Sequence, residues 1–89
     1  MQSGYARFDG MMAGQRITAY VEVYGGNGQI EVSLLDRSGT TVRKMTVENT
    51  GSPSFTMPHD GTFYVRIYNP LWFSGGQKTV QASYTICSK

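Results

Sequence analysis

The stretch Gln15-Arg16-Ile17-Thr18-Ala19-Tyr20-Val21-Glu22-Val23-Tyr24 decides the fold class. Ile17, Ala19, Val21 and Val23 fall on one parity, and Thr18, Tyr20, Glu22 and Tyr24 fall on the other. Successive strand side chains point to opposite faces, so this alternation specifies a strand with one buried and one open face. The segment runs into Gly25-Gly26-Asn27-Gly28, residue types that accept positive φ at little steric cost. We read that tetrapeptide as a hairpin turn into a second strand over 29–36, with Ile30, Val32 and Leu34 inward and Glu31 and Ser33 outward.

The same pattern extends to both ends of the chain. Residues 5–9 form a short first strand contributing Ala6 and Phe8. Asp36-Arg37-Ser38-Gly39 closes a hairpin into a strand over 40–48. Its phase breaks between Val42 and Met45, which predicts a bulge near Arg43-Lys44. Residues 49–53 read as a loop, and 54–57 as a short strand with Phe55 and Met57 on one side. Pro58-His59-Asp60-Gly61 is a turn. Over 62–69, Phe63, Val65 and Ile67 point inward and Tyr64, Arg66 and Tyr68 outward. Over 78–87, Val80, Ala82, Tyr84 and Ile86 alternate with Gln81, Ser83 and Thr85. No segment repeats apolar residues at helical spacing over ten or more positions. Clean alternation implies antiparallel sheets, each with one buried face, and two such faces cover each other in a sandwich. The expected fold is therefore all-β, an antiparallel sandwich of seven to eight short strands in one domain, 1–89.

Composition narrows the function classes. A chain of 89 residues buries only about 60–65% of its unfolded surface, enough for a core but not for a deep cleft. Eight basic and six acidic residues are scattered, with a net charge of +2 and no basic run longer than two. Nucleic-acid binding needs a concentrated basic surface, so no nucleic-acid partner is expected. No apolar run approaches the roughly 18 residues that span a bilayer, so no transmembrane segment is expected. Residues 1–5 lack the features of a signal peptide, which leaves an intracellular protein or a mature or excised chain. Cys87 is the only cysteine and reads as a small apolar residue ending the last strand, the alternative being an intermolecular disulfide.

The order of motifs resembles the bacterial pre-peptidase C-terminal domains. Tyr5-Ala6-Arg7-Phe8-Asp9 followed by Ala13-Gly14-Gln15-Arg16-Ile17-Thr18-Ala19-Tyr20-Val21 is similar to their opening aromatic strand, turn and second strand. Ile30-Glu31-Val32-Ser33-Leu34-Leu35-Asp36 with Ser38-Gly39 resembles their hairpin. Pro58-His59-Asp60-Gly61-Thr62-Phe63-Tyr64-Val65-Arg66-Ile67 resembles their turn and inner strand, and Ala82-Ser83-Tyr84-Thr85-Ile86 their last strand. The resemblance implies a jelly-roll-like sandwich, a secreted or cell-surface setting and an accessory role. Related collagen-binding modules use surface tyrosines. The acidic linker that binds calcium in some relatives is missing here, so calcium is not carried over.

Catalytic constellations are weak. His59 is the one histidine and stands in a turn, and no Gly-x-Ser-x-Gly elbow is present. Glu22 and Glu31 would meet across a hairpin at 25–28, but both lie on outward faces. One His, one Cys and dispersed carboxylates do not make a zinc set, and Asp36 and Asp60 are expected to accept local backbone N–H groups. No enzymatic activity, metal or cofactor is expected.

Tyrosine is the informative polar-face residue. Tyr20 and Tyr24 share one strand's outer face, and Tyr64, Arg66 and Tyr68 share another's. Were both strands in one sheet, they would form a flat amphipathic surface suited to a polysaccharide or protein. The competing reading is that these tyrosines only cover cross-strand neighbours. Leu71-Trp72-Phe73 either plugs the sandwich end or anchors a partner, with Trp72 the sixth candidate binding residue. The leading expectation is a non-catalytic, extracytoplasmic binding module. The alternatives are a self-assembling homo-oligomer, or a secreted toxin or antimicrobial acting through residues 71–73.

Overall fold

The computed structural model describes residues 3–25, 28–68 and 79–88. Eight strands follow in chain order: β1 (Ser3–Met11), β2 (Arg16–Tyr24), β3 (Gln29–Leu35), β4 (Thr41–Glu48), β5 (Thr50–Gly51), β6 (Ser54–Thr56), β7 (Gly61–Tyr68) and β8 (Thr79–Cys87). A front sheet has the order β1-β7-β3-β4. In the back sheet β2 is central, with β5 and β6 on one side and β8 on the other. All pairings are antiparallel. The expected antiparallel sandwich is the observed architecture.

The alternation read from the sequence sorts the core. Ile17, Ala19, Val21 and Val23 of β2 meet Ile30, Val32 and Leu34 of β3 and Phe63 and Val65 of β7 in one buried cluster. Phe55, Met57, Val47 and Met11 complete it. Fully burying each such side chain is worth about 1.5–3 kcal/mol, which is why the strands that supply them are fixed in register.

Two bulges re-aim side chains. Phe8 pairs with Phe63 and Met11 with Gly61, so Asp9 and Gly10 together oppose Thr62. Gly10 has φ 66°, and the extra residue brings Met11 into the core at odd parity although Phe8 points inward at even parity. In β4, Leu34 pairs with Arg43 and Leu35 with Thr41, so Val42 is the extra residue. The bulge expected at Arg43-Lys44 therefore lies one residue earlier, and Val42 is 41% exposed.

One connection differs from its reading. β2 and β3 lie in different sheets, so the chain turns a corner from back to front between these strands rather than forming the expected hairpin. Asn49 (φ 64°) braces that corner: its N–H donates to Gly28 O at 2.8 Å, and Val23 N donates to Asn49 O at 2.7 Å. A glycine turn supplies positive φ for either path, and burial of both strands' aliphatic faces against each other selects the crossing.

Candidate functional site

The sheet assignment divides the tyrosines. Tyr20 and Tyr24 stand on β2 in the back sheet, while Tyr64, Arg66 and Tyr68 stand on β7 in the front sheet. The two groups face outward on opposite sides of the sandwich, so the single surface expected from one shared sheet does not form. The physical reason is the corner between β2 and β3, which sends the chain to the other layer before its next long strand. The same division separates Glu22 from Glu31. Trp72, with Leu71 and Phe73, lies outside the described residues.

The front face is built from three strands in register. Tyr5 pairs with Arg66 and Arg7 with Tyr64 across β1 and β7. On the other side of β7, Glu31 pairs with Tyr68, Ser33 with Arg66 and Leu35 with Tyr64. These positions share one face, because antiparallel partners point to the same side. Tyr5 is 62% exposed, whereas Leu35 is 5% exposed and Ser33 fully buried despite their outward parity. The β3–β4 hairpin rises beside this face. Together they border an open groove of about 410 Å³, lined by Tyr5, Leu35, Arg37, Ser38, Tyr64 and Arg66.

Arg66 is the central charge. Its Nη2 lies 4.0 Å from Glu31 Oε1, a charge contact too long for a hydrogen bond. Its guanidinium sits 5.4 Å from the Tyr68 ring centroid, within cation–π range. Arg66 Nε and Ser33 Oγ are both buried and have no hydrogen-bond partner among the described residues. At the rim, Arg7 Nε donates to Asp9 Oδ1 at 2.9 Å and Thr62 Oγ1 donates to the same oxygen at 3.0 Å. Arg7 and then Thr62 hold the Asp9 carboxyl below the usual carboxylate range.

The hairpin flanking the groove is held by Asp36. Its Oδ1 accepts from Ser38 N at 2.9 Å, Ser38 Oγ at 2.6 Å and Thr40 N at 3.0 Å. These bonds, the Ser38 hydroxyl first, lower the Asp36 pKa. Gly39 closes the turn at φ 89°, and its N–H donates to Asp36 O at 3.0 Å. The carboxylate is spent on local backbone, as turn aspartates usually are.

The back face is different. A groove of about 520 Å³ runs past Tyr20 and Glu22 between Thr50, Ser52, Gln81 and Ser83. Its lining is mostly small and polar, and it holds one ring and no cation. Tyr24 OH donates to Glu22 Oε2 at 3.1 Å, which raises the Tyr24 pKa.

Elsewhere, the polar groups close loops. Asp60 Oδ1 accepts from Ala13 N at 2.7 Å, tying the 58–61 turn to the β1–β2 loop. His59 Nδ1 lies 2.8 Å from Asp60 O, and its ring packs 5.0 Å from that of Phe63. Cys87 is a free, exposed thiol. Among the described residues no three His, Cys, Asp or Glu gather as a metal-ligand set, and no helix is long and apolar enough to cross a membrane.

Tyr5, Leu35 and Arg37 were not among the residues singled out by sequence. Tyr5 carried a signal in its parity with Arg7, but its place beside Arg66 depends on the pairing of β1 with β7, strands far apart in the sequence. No protein-family model matches the chain, and no curated protein matches it.

Proposed function

We propose that this domain is a non-catalytic binding module that recognises a polymer surface through the outer face of its front sheet. The observation that supports this most is the groove that sets Tyr5 and Tyr64 beside Arg66 on an open face. Aromatic rings give large contact area at small entropic cost, and an arginine gives directed hydrogen bonds, which together suit recognition rather than bond chemistry. The extracytoplasmic setting, secreted or cell-surface, rests on the resemblance to pre-peptidase C-terminal domains.

The test compares the two faces. Wild type, Tyr5→Ala/Tyr64→Ala and Tyr20→Ala/Tyr24→Ala are run on glycan and protein arrays. The expected result is loss of binding by at least about tenfold in the first double variant and wild-type binding in the second. Loss only in the second moves the site to the back face, and loss in neither removes both.

A separate observation favours a second reading, a homo-oligomer joined through β8. Among the described residues β8 pairs with β2 alone, in unbroken register over nine residues. Thr79–Cys87 contains no charge, Pro or Gly, the devices that usually protect an edge strand. Ala82 and Ile86 are exposed although their parity is inward. Two copies pairing β8 antiparallel would form a closed two-fold dimer. Sedimentation velocity at two concentrations decides: a coefficient that rises with concentration, and no longer does so in Ala82→Lys, supports the dimer; a strict monomer removes it.

A further inference from the structure

The front groove also carries a statement about ligand chemistry, which rests on the reading of this face as the binding face. We propose that the ligand is a carboxylate-bearing polysaccharide, with its sugar rings against Tyr5 and Tyr64 and its carboxylate held by Arg37 and Arg66.

Charge supports this first. The lining holds two guanidinium groups and no carboxylate. Of the two acids on the flanking segments, neither forms a hydrogen bond to the arginines of the groove among the described residues. Asp36 accepts three hydrogen bonds from Ser38 and Thr40, and Glu31 stands 4.0 Å from Arg66 without bonding it. Arg66 Nε is buried and has no hydrogen-bond partner among the described residues. The Arg66 side chain as a whole is 27% exposed, which leaves part of it open to an incoming acceptor. A guanidinium fork matches a carboxylate in a paired, planar geometry.

Shape separates sugar from peptide. Acidic peptides that bind sheets commonly add a strand to a free edge. This groove lies on the outer face of β1, β7 and β3, where side chains rather than backbone groups are presented, and the sheet edge at β1 lies beside it rather than in its floor. Two tyrosines present flat apolar surface above the buried Leu35, and Ser38 with the phenol hydroxyls presents hydrogen-bonding groups beside it. A pyranose ring has the same division, an apolar face and a rim of hydroxyls.

Calorimetric titrations with polygalacturonate, neutral dextran and poly-glutamate test the proposal. The proteins are wild type, Arg37→Gln, Tyr64→Ala and Arg16→Gln. Arg37 is exposed, so its variant leaves the core untouched, and Arg16, exposed on the back face, controls for net charge. The expected result is binding of polygalacturonate, at least about tenfold weaker in Arg37→Gln and in Tyr64→Ala and unchanged in Arg16→Gln. Dextran and poly-glutamate bind at least about tenfold less well. Equal binding of poly-glutamate assigns the groove to acidic peptides and overturns the glycan. Equal binding of dextran that is lost in Tyr64→Ala but not in Arg37→Gln overturns the carboxylate and leaves the binding face standing. Equal weakening by Arg16→Gln reduces the effect to net charge and overturns the proposal. Binding of none of the three polymers also overturns it, and the array comparison of the two faces then judges the binding face separately.

Discussion

Replacing Gly28 by alanine tests the corner that separates the two tyrosine groups. Gly28 has φ 75° and is buried. An added Cβ would overlap Asn49 Oδ1 and stand 3.2 Å from Asn49 Cγ. The left-handed backbone alone costs an L-residue about 1–2 kcal/mol. Moving Asn49 off its rotamer to make room adds about 0.5–1.5 kcal/mol. Asn49 cannot simply swing away with its backbone, because its N–H and C=O hold Gly28 and Val23. The sum is about 1.5–3.5 kcal/mol, or about 6–28 °C in Tm for a domain of this size. Thermal and urea unfolding followed by circular dichroism measure it. Gly28→Ala/Asn49→Gly should recover the contact part and retain only the backbone part. A loss below about 0.5 kcal/mol in Gly28→Ala, or a double variant no more stable than the single one, refutes the reasoning.

Further expectations come from the same physics. Gly39→Ala has φ 89° but open space around its Cβ, so it should cost only the backbone part, about 1–2 kcal/mol. Phe55→Ala removes a fully buried ring from the three-residue β6 and should cost about 3–5 kcal/mol by denaturant titration; Ile86→Thr, at a site 49% exposed, should stay within about 0.5 kcal/mol. Asp36 and Asp9 titrate below their ordinary value in the fold. Their contribution is complete above about pH 4 and is lost as pH falls through the native values. Tm should therefore fall more steeply with acidification in wild type than in Asp36→Asn, and parallel curves would count against the hairpin network. Burial raises the Tyr84 pKa, so Tyr84→Phe should remove a late-ionising phenol from an ultraviolet titration.

Much of the fold was legible because the long central strands each bury one face. β2, β3 and β7 alternate cleanly, and their inward residues are the core. β8 alternates as well, yet Ala82 and Ile86 are exposed. Alternation marks which face a residue takes, and only the neighbouring layer decides whether that face is covered. At this margin Tyr84 reaches the Phe8 ring at 5.4 Å, the partial cover that β1 supplies. The bulge at Asp9-Gly10 was missed although a glycine within a strand is its usual mark. It lengthened a strand read as 5–9 to Ser3–Met11. The two-residue β5 lay within a stretch read as loop, since pairing so short depends on the neighbouring β2 rather than on its own pattern.

The candidate site was half legible. Tyr64, Arg66 and Tyr68 share a face as their spacing required. Their true companions, Tyr5 from one end of the chain and Leu35 and Arg37 from the middle, are fixed by pairings between distant segments. Local periodicity carries no information on which strands pair, so it placed Tyr20 and Tyr24 beside them instead. Ser33 shows the same limit: its polar type and outward parity suggested solvent, whereas Arg66 and Lys44 flank it in register and it is fully buried.

Everything proposed for the front groove depends on Tyr20 and Tyr64 lying on opposite outer surfaces. Nitroxides placed at positions 20 and 64 in a Cys87→Ser background, read by double electron–electron resonance, measure this directly. Two layers about 10 Å apart with labels directed away from each other predict a separation of about 20 Å or more. A distribution centred below about 15 Å, as for strands side by side in one sheet, would contradict it.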